Sequence, residues 1–164
     1  MVTPVEISRR TFVKAGVVGV VGVTATQVMA SGAEAVTLGK VQIPKIKVNK
    51  PVYSGTSKAV LNRGGFGHWL GSAKPGADGH CVLFAHRTSA GGPLRRANLL
   101  AVGDMIVANG VTYTVKGTQI VGRTEVRKSL NYGTSGRRLS LITCTKPNGT
   151  PTSTKFRLII RATA

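Results

Sequence analysis

Two residues that can perform nucleophilic chemistry each stand at the end of an apolar run. Cys144 ends the segment 139–144, and His86 directly follows the segment 81–85. A strand end at the mouth of a loop combines exposure with a fixed backbone, and a thiol becomes a useful nucleophile when a base or a cation lies nearby. Each residue taken alone also fits a structural role, as a buried cysteine or a hydrogen-bonded histidine. Together they predict a cysteine nucleophile with a histidine partner.

An arginine on the last predicted strand is the third candidate. Arg157 stands between Phe156 and Leu158, and Arg161 lies four residues further along on the same face. Four strand residues span about 13 Å, so only one of the two arginines can lie level with a given site. A guanidinium can stabilise the oxyanion of an acyl-transfer intermediate, and we predict this role for Arg157, with Arg161 as the alternative.

The scarcity of acidic residues excludes several kinds of site. The 164 residues include 23 Lys and Arg but only 5 Asp and Glu, a formal net charge of +18. A calcium cage of several carboxylates, a two-carboxylate glycosidase and an aspartic-protease dyad are therefore not expected. Two cysteines and three histidines exclude a cysteine-rich structural zinc site, and we expect neither a metal nor a cofactor. The basic surface favours contact with anionic polymers of the cell envelope, and we expect no specific nucleic-acid partner.

The elements that must position these residues are short strands separated by turns. No convincing helical period follows residue 35, and about seven strand-like segments are present, among them 40–48, 81–86, 105–108, 111–121, 139–144 and 155–162. Residues 64–69 are interpreted as a glycine-rich loop, and residues 89–100 as a loop with one helical turn. So many short strands in 129 residues predict an all-β fold, either a small barrel or a sandwich.

Four blocks of the sequence resemble the sortase family, in the order that the family has them. Residues 75–87 read PGADGHCVLFAHR and resemble its catalytic-histidine strand, and residues 93–104 resemble the loop and strand that follow. Residues 139–144 read LSLITC and are similar to the family's T-L-x-T-C motif, and residues 156–160 read FRLII and resemble its arginine strand. The resemblance runs from about Val41 to Arg161. It implies a closed eight-stranded sortase-type β-barrel with short helical turns in its loops.

The resemblance implies a cysteine transpeptidase at the cell surface. Cys144 would attack the Thr–Gly bond of a C-terminal sorting motif such as Leu-Pro-x-Thr-Gly or Leu-Ala-x-Thr-Gly and form a thioacyl-enzyme. His86 would protonate the leaving amine and deprotonate the incoming one, and Arg157 would hold the substrate and its oxyanion. The protein partners would be surface proteins with sorting signals, and the acceptor an amine of a peptidoglycan precursor or of a pilin lysine.

Three further residues are predicted to bind substrate. By resemblance, Thr143 would touch the threonine of the sorting motif. Asn98 is expected to hydrogen-bond near His86, and His68 to line the substrate groove. Only twelve residues separate Cys144 from Arg157, which points to the short-loop actinobacterial sortases of class E or F.

The first 35 residues are interpreted as an export segment. Arg9 and Arg10 precede an apolar run, as in a twin-arginine signal, and the run 15–30 is shorter than the roughly 20 residues of a membrane span. Residues 33–35 read Ala-Glu-Ala, a small-residue site for signal peptidase. An uncleaved N-terminal anchor is the alternative. In both cases we predict that residues 36–164 form the catalytic domain and act outside the cytoplasm of a bacterium.

Other functions and another cysteine arrangement remain open at this point. An L,D-transpeptidase also places His before Cys on a β-rich domain, and a non-catalytic basic barrel could bind anionic polymers. Cys81 lies in mid-strand and alternates opposite to His86, so we expect it in the core. A disulfide between Cys81 and Cys144 is the alternative in an oxidising compartment.

Overall fold

The chain folds into a closed β-barrel in the computed structural model, which describes residues 36–133, 135–151 and 153–164. The predicted export segment, residues 1–35, lies outside the described residues. The barrel has eight strands: β1 (Thr37–Ile43), β2 (Val48–Ser54), β3 (Phe66–His68), β4 (Gly79–Phe84), β5 (Met105–Ala108), β6 (Val111–Gly122), β7 (Arg137–Thr145) and β8 (Phe156–Thr163). The all-β fold and the closed eight-stranded barrel expected from the sequence are therefore confirmed.

The strand order of the barrel makes β4, β7 and β8 neighbours. Around the barrel the order is β1-β2-β3-β4-β7-β8-β6-β5, and β5 closes onto β1. The β2–β3 and β4–β7 pairs are parallel, and the other pairs are antiparallel. As a result β7 lies between β4 and β8, so the three strands that carry the candidate site residues are neighbours.

Alternate side chains of β4 and β7 pack into two apolar clusters, one inside the barrel and one on the outer face of the strands. Cys81 and Leu83 of β4 and Leu139 and Leu141 of β7 are fully buried in the barrel core. The residues between them point to the outer face, because successive side chains of a strand alternate. A second buried cluster forms there from Val82, Val121, Ile142 and Ile159, covered by Trp69, Phe84, Val126 and Leu130. Burial on both faces explains why segment 139–144 is almost continuously apolar.

Short helices occur only in connections between the described strands. Helix α1 (Lys58–Leu61) lies between β2 and β3, and helix α2 (Val126–Ser129) lies between β6 and β7. Single 3₁₀ turns occupy Pro44–Ile46, Ala97–Leu99 and Arg123–Glu125. In the described part of the chain, no helix has the length and apolar character needed to cross a bilayer.

Two local predictions from the sequence are wrong. Segment 40–48 is not one strand, because Pro44 begins a 3₁₀ turn and Lys47 has a positive φ of 55° before the chain continues as β2. The glycine-rich segment 64–69 is not only a loop, because Phe66–His68 form β3. A Cβ at Gly67 would lie 2.6 Å from the Gly55 carbonyl oxygen, so this glycine allows a close backbone approach rather than a flexible loop.

Candidate active site

The register of β4 and β7 places Cys144 and His86 on the same side of the sheet. Phe84 is paired with Ile142, and the Ala85 N–H donates to the Ile142 carbonyl at 3.1 Å, which extends the pairing past the end of β4. His86 and Cys144 each lie two residues beyond this pair. Because alternate strand residues share a face, both emerge on the outer face that also carries Ile142.

The register of β7 and β8 places Arg157, and not Arg161, level with Cys144. Arg157 is paired directly with Cys144, and Arg161 is paired with Ser140. The Arg161 Nη2 donates to Gln119 Oε1 and to the Ser129 carbonyl, each at 2.7 Å, and its guanidinium lies 5.4 Å from the centre of the Tyr132 ring. Arg161 therefore stabilises the surroundings of α2, and Arg157 is the arginine level with the thiol.

Cys144 and His86 line one cavity of about 530 Å³. Its wall comes from the end of β4 with the loop after it, from β7, and from the loop before β8: His86, Arg87, Thr88, Ser89, Cys144, Ser153, Thr154 and Lys155. Arg157 is not among these lining residues. Its Nη1 donates to the carbonyls of Thr154 and Phe156, each at 2.9 Å, so it holds the last turn of the loop that forms one wall.

The His86 ring is oriented by a residue from a distant part of the sequence. Its Nε2–H donates to Asn62 Oδ1 at 3.0 Å, and Asn62 is the C-terminal cap of α1. Because an amide oxygen can only accept, Nε2 carries a proton in this hydrogen bond. The orientation of the imidazole is therefore held through Nε2, which leaves Nδ1 for proton transfer.

The two thiols have different surroundings, and no disulfide joins them. Cys81 has no exposed surface, and burial raises the pKa of its thiol to about 12. Cys144 is half-buried at the cavity. Since the thiolate is the reactive form of cysteine, Cys144 is the candidate nucleophile.

Comparison with known proteins identifies the family. A model of the Sortase domain matches residues 41–164. This chain belongs to the sortase family. Sortases are cysteine transpeptidases, and the match decides against the L,D-transpeptidase alternative.

Relatives of this sortase include actinobacterial members. It is 35% identical over 135 residues to Sortase SrtE1 of Streptomyces coelicolor, an alignment that covers 72% of this chain and 37% of that protein. The crystal structure of Sortase E1 from the same organism, with a tripeptide in the active site, matches with a TM-score of 0.66 and 27% identity, over 76% of this chain and 85% of that one. The SrtA sortase of Actinomyces oris matches with a TM-score of 0.69 and 25% identity, over 78% and 79% of the two chains.

The three residues predicted to bind substrate do not line the cavity of this sortase. Thr143 is buried, and its hydroxyl donates to the Ala85 carbonyl at 2.8 Å, which ties β7 to the end of β4. Asn98 accepts a hydrogen bond from Arg87, beside a separate cavity. His68 is 4% exposed rather than on the surface, and its Nε2 donates to the Ala73 carbonyl at 2.9 Å. All three are occupied in holding the barrel and its loops.

Sequence reasoning missed two polar residues at the site. Asn62 lies 24 residues before His86 in an ordinary-looking segment, so only the folded structure shows the contact. Arg87 is visible beside His86 in the sequence, but a cation next to a loop is usually exposed. In this sortase Arg87 is 2% exposed.

Proposed function

We propose that this chain is a sortase transpeptidase that cleaves a C-terminal sorting motif between Thr and Gly and transfers the protein to an amine. One observation carries the proposal: an accessible thiol, Cys144, shares a cavity with His86 and faces Arg157 across the β7–β8 pair. A nucleophile, a proton carrier and an oxyanion stabiliser are the parts that acyl transfer needs.

In the first half-reaction the Cys144 thiol gives its proton to His86, and the sulfur attacks the carbonyl carbon of the motif's threonine. A C–S bond forms, and the carbonyl electrons move onto the oxygen as the tetrahedral intermediate develops. When the intermediate collapses, the Thr–Gly C–N bond breaks, and His86 donates a proton to the leaving amine. The products are a thioester on Cys144 and a released tail that begins with glycine.

In the second half-reaction an amine replaces the sulfur. The incoming amine attacks the thioester carbonyl, His86 removes its proton, and the C–S bond breaks to regenerate Cys144. Arg157 stabilises the negative oxygen in both tetrahedral intermediates, since it is the cation level with the sulfur. We infer that the acceptor is an amine of a peptidoglycan precursor or of a pilin lysine, and that residues 36–164 act outside the cytoplasm after export by residues 1–35.

Mass spectrometry of the protein with short sorting peptides tests the function. We expect Leu-Pro-x-Thr-Gly or Leu-Ala-x-Thr-Gly peptides to give an acyl adduct on Cys144, and an added amine such as triglycine to discharge it. The Cys144→Ala variant should give no adduct and no cleaved peptide while its circular dichroism spectrum stays that of the wild type.

Cys81→Ala is the matched control, because it removes the same group from the barrel core. It should keep the adduct on Cys144 and lose about 1 kcal/mol of unfolding free energy through the small cavity it leaves. Equal loss of peptide cleavage in both variants would contradict the assignment of Cys144. Salt-sensitive binding of anionic polymers by a protein that never forms an adduct would favour the non-catalytic basic barrel.

A further inference from the structure

The structure buries one arginine, Arg87, at the cavity of Cys144, and the mechanism above does not use it. Arg87 is 2% exposed and is among the largest fully buried side chains of the described residues. Burying a guanidinium is costly unless a negative group compensates its charge.

No carboxylate of the described residues pairs with Arg87. These residues contain three acidic side chains, and each is engaged elsewhere. Asp78 pairs with Arg137 at 3.2 Å, Asp104 pairs with Lys45 at 2.8 Å, and Glu125 accepts from the Gly122 N–H at 3.2 Å.

The hydrogen bonds of Arg87 lead to neutral acceptors on two loops. Its Nη2 donates to Asn98 Oδ1, in the connection between β4 and β5, and to the Gly149 carbonyl, in the connection between β7 and β8, each at 2.9 Å. Its Nε and Nη1 are buried and find no acceptor among the described residues. Arg87 therefore joins two loops beside the site, yet the described residues supply neither a counter-charge nor acceptors for two of its donors.

Of the described residues that line this cavity, Cys144 is the one that can carry negative charge, as a thiolate. Arg87 and Cys144 both belong to the cavity wall. Burial lowers the pKa of Arg87, and the charge on Cys144 acts in the opposite direction and raises it. A buried cation that lines the same cavity as a thiol favours the thiolate over the neutral thiol.

We propose that Arg87 is a positioning residue that favours the thiolate of Cys144 through its buried charge, which no carboxylate of the described residues balances. This rests on the proposed function, in which Cys144 is the nucleophile. The two arginines then act at different stages of the reaction. Arg157 acts on the oxyanion of the substrate, and Arg87 acts on the sulfur before substrate binds.

Alkylation of Cys144 by iodoacetamide tests the proposal without any peptide substrate. The rate reports the thiolate, because the thiolate is the nucleophile. In the full chain near neutral pH, we expect Arg87→Met and Arg87→Gln to slow alkylation of Cys144 about ten-fold. Arg87→Lys keeps the charge and should stay within about three-fold of the wild type. At high pH, where thiols ionise in any surroundings, the differences should shrink.

Arg96→Met is the matched control for net charge. Arg96 lies on the same connection but is exposed, so solvent and salt screen its charge and the alkylation rate should not change. Fast alkylation in Arg87→Met, or alkylation in Arg87→Lys as slow as in Arg87→Met, would overturn the proposal. If the neutral variants fail to fold, Arg87→Lys still decides, since slow alkylation there means that loop hydrogen bonds rather than charge matter. Absence of a peptide adduct on wild-type Cys144 would instead contradict the proposed function.

Discussion

Arg157 and Arg161 carry the same guanidinium on the same face of β8, but the barrel gives them different surroundings. Arg157 faces Cys144 across the strand pair, and its Nη1 bonds the loop beside the cavity. Arg161 faces Ser140 and is bound to Gln119 and Ser129. Their pairing partners on β7, rather than their chemistry, distinguish a candidate catalytic arginine from a structural one.

Alanine substitutions of the two arginines should therefore affect different properties, one mainly the catalytic activity and the other mainly the stability. We expect Arg157→Ala to lower kcat/KM for a sorting peptide by about 10²- to 10³-fold, the usual loss of an oxyanion stabiliser, with little change in melting temperature. Arg161→Ala should lower the melting temperature and keep most of the activity. Peptide cleavage assays and thermal denaturation check both, and the reverse ranking would move the oxyanion role to Arg161.

His80 gives the protein a pH-dependent stability outside the site. Its Nε2 lies 2.8 Å from the Ser140 hydroxyl, and its ring packs edge-on against Tyr132. Burial lowers the pKa of His80, the charges of Arg138 and Arg161 lower it further, and a backbone hydrogen bond at Leu130 opposes them. The unfolded chain, with an ordinary histidine pKa near 6.5, therefore binds this proton more readily than the folded one.

The stability that neutral His80 contributes should be complete above about pH 6.5 and lost as the pH falls toward the lowered pKa. We expect the wild type to lose more unfolding free energy than His80→Gln between neutral and mildly acidic pH. Urea denaturation at several pH values measures this. A variant with the same pH dependence as the wild type would show that protonation of His80 does not contribute.

At the scale of elements, a very short helix controls the orientation of His86. Helix α1 has four residues, too few to be stable alone, and its N-terminus is capped by Ser57, whose Oγ accepts from the Val60 N–H at 3.3 Å. At its other end the helix presents Asn62 to the imidazole. The helix between β2 and β3 thus contributes to a site that otherwise lies on β4, β7 and β8.

Removing the Asn62 amide should loosen the imidazole without removing it. We expect Asn62→Ala to lower kcat about two- to ten-fold, which is the range of one net hydrogen bond, with KM nearly unchanged. Asn62→Asp, which keeps an acceptor oxygen, should recover part of the loss. A change confined to KM would instead assign Asn62 to substrate binding.

At the scale of the whole molecule, the barrel and its core lie entirely within residues 37–163. All strands are paired around a closed barrel, so each strand of the described chain has two neighbours. A closed barrel with its own core is expected to fold as a unit.

Deleting residues 1–35 should therefore leave a folded and active protein. We expect the fragment 36–164 to unfold within a few degrees of the full chain and to form the same peptide adduct on Cys144. Calorimetry and mass spectrometry of the two proteins check this. Failure of the fragment to fold would show that the N-terminal segment belongs to the catalytic domain.

The amino-acid pattern alone was enough to predict the strands with strong alternation or continuous apolar character. It predicted β4, β5, β6, β7 and β8 closely because their patterns reflect burial that depends little on the partner strand. It missed β3, since three residues of a glycine-rich segment form a strand only when a neighbouring backbone offers hydrogen bonds. It also joined β1 to β2 across Pro44, where local backbone geometry ends the strand.

The candidate site, like the fold, could be predicted only in part from the sequence. Cys144, His86 and Arg157 could be selected from residue type, strand position and family resemblance, because each lies on or beside a recognisable strand. The folded barrel was needed to show that Thr143 and His68 are buried and bonded within it, that Asn62 holds His86, and that Arg87 is buried. These facts depend on contacts between residues far apart in the chain, and no local pattern encodes which distant atoms will surround a polar side chain.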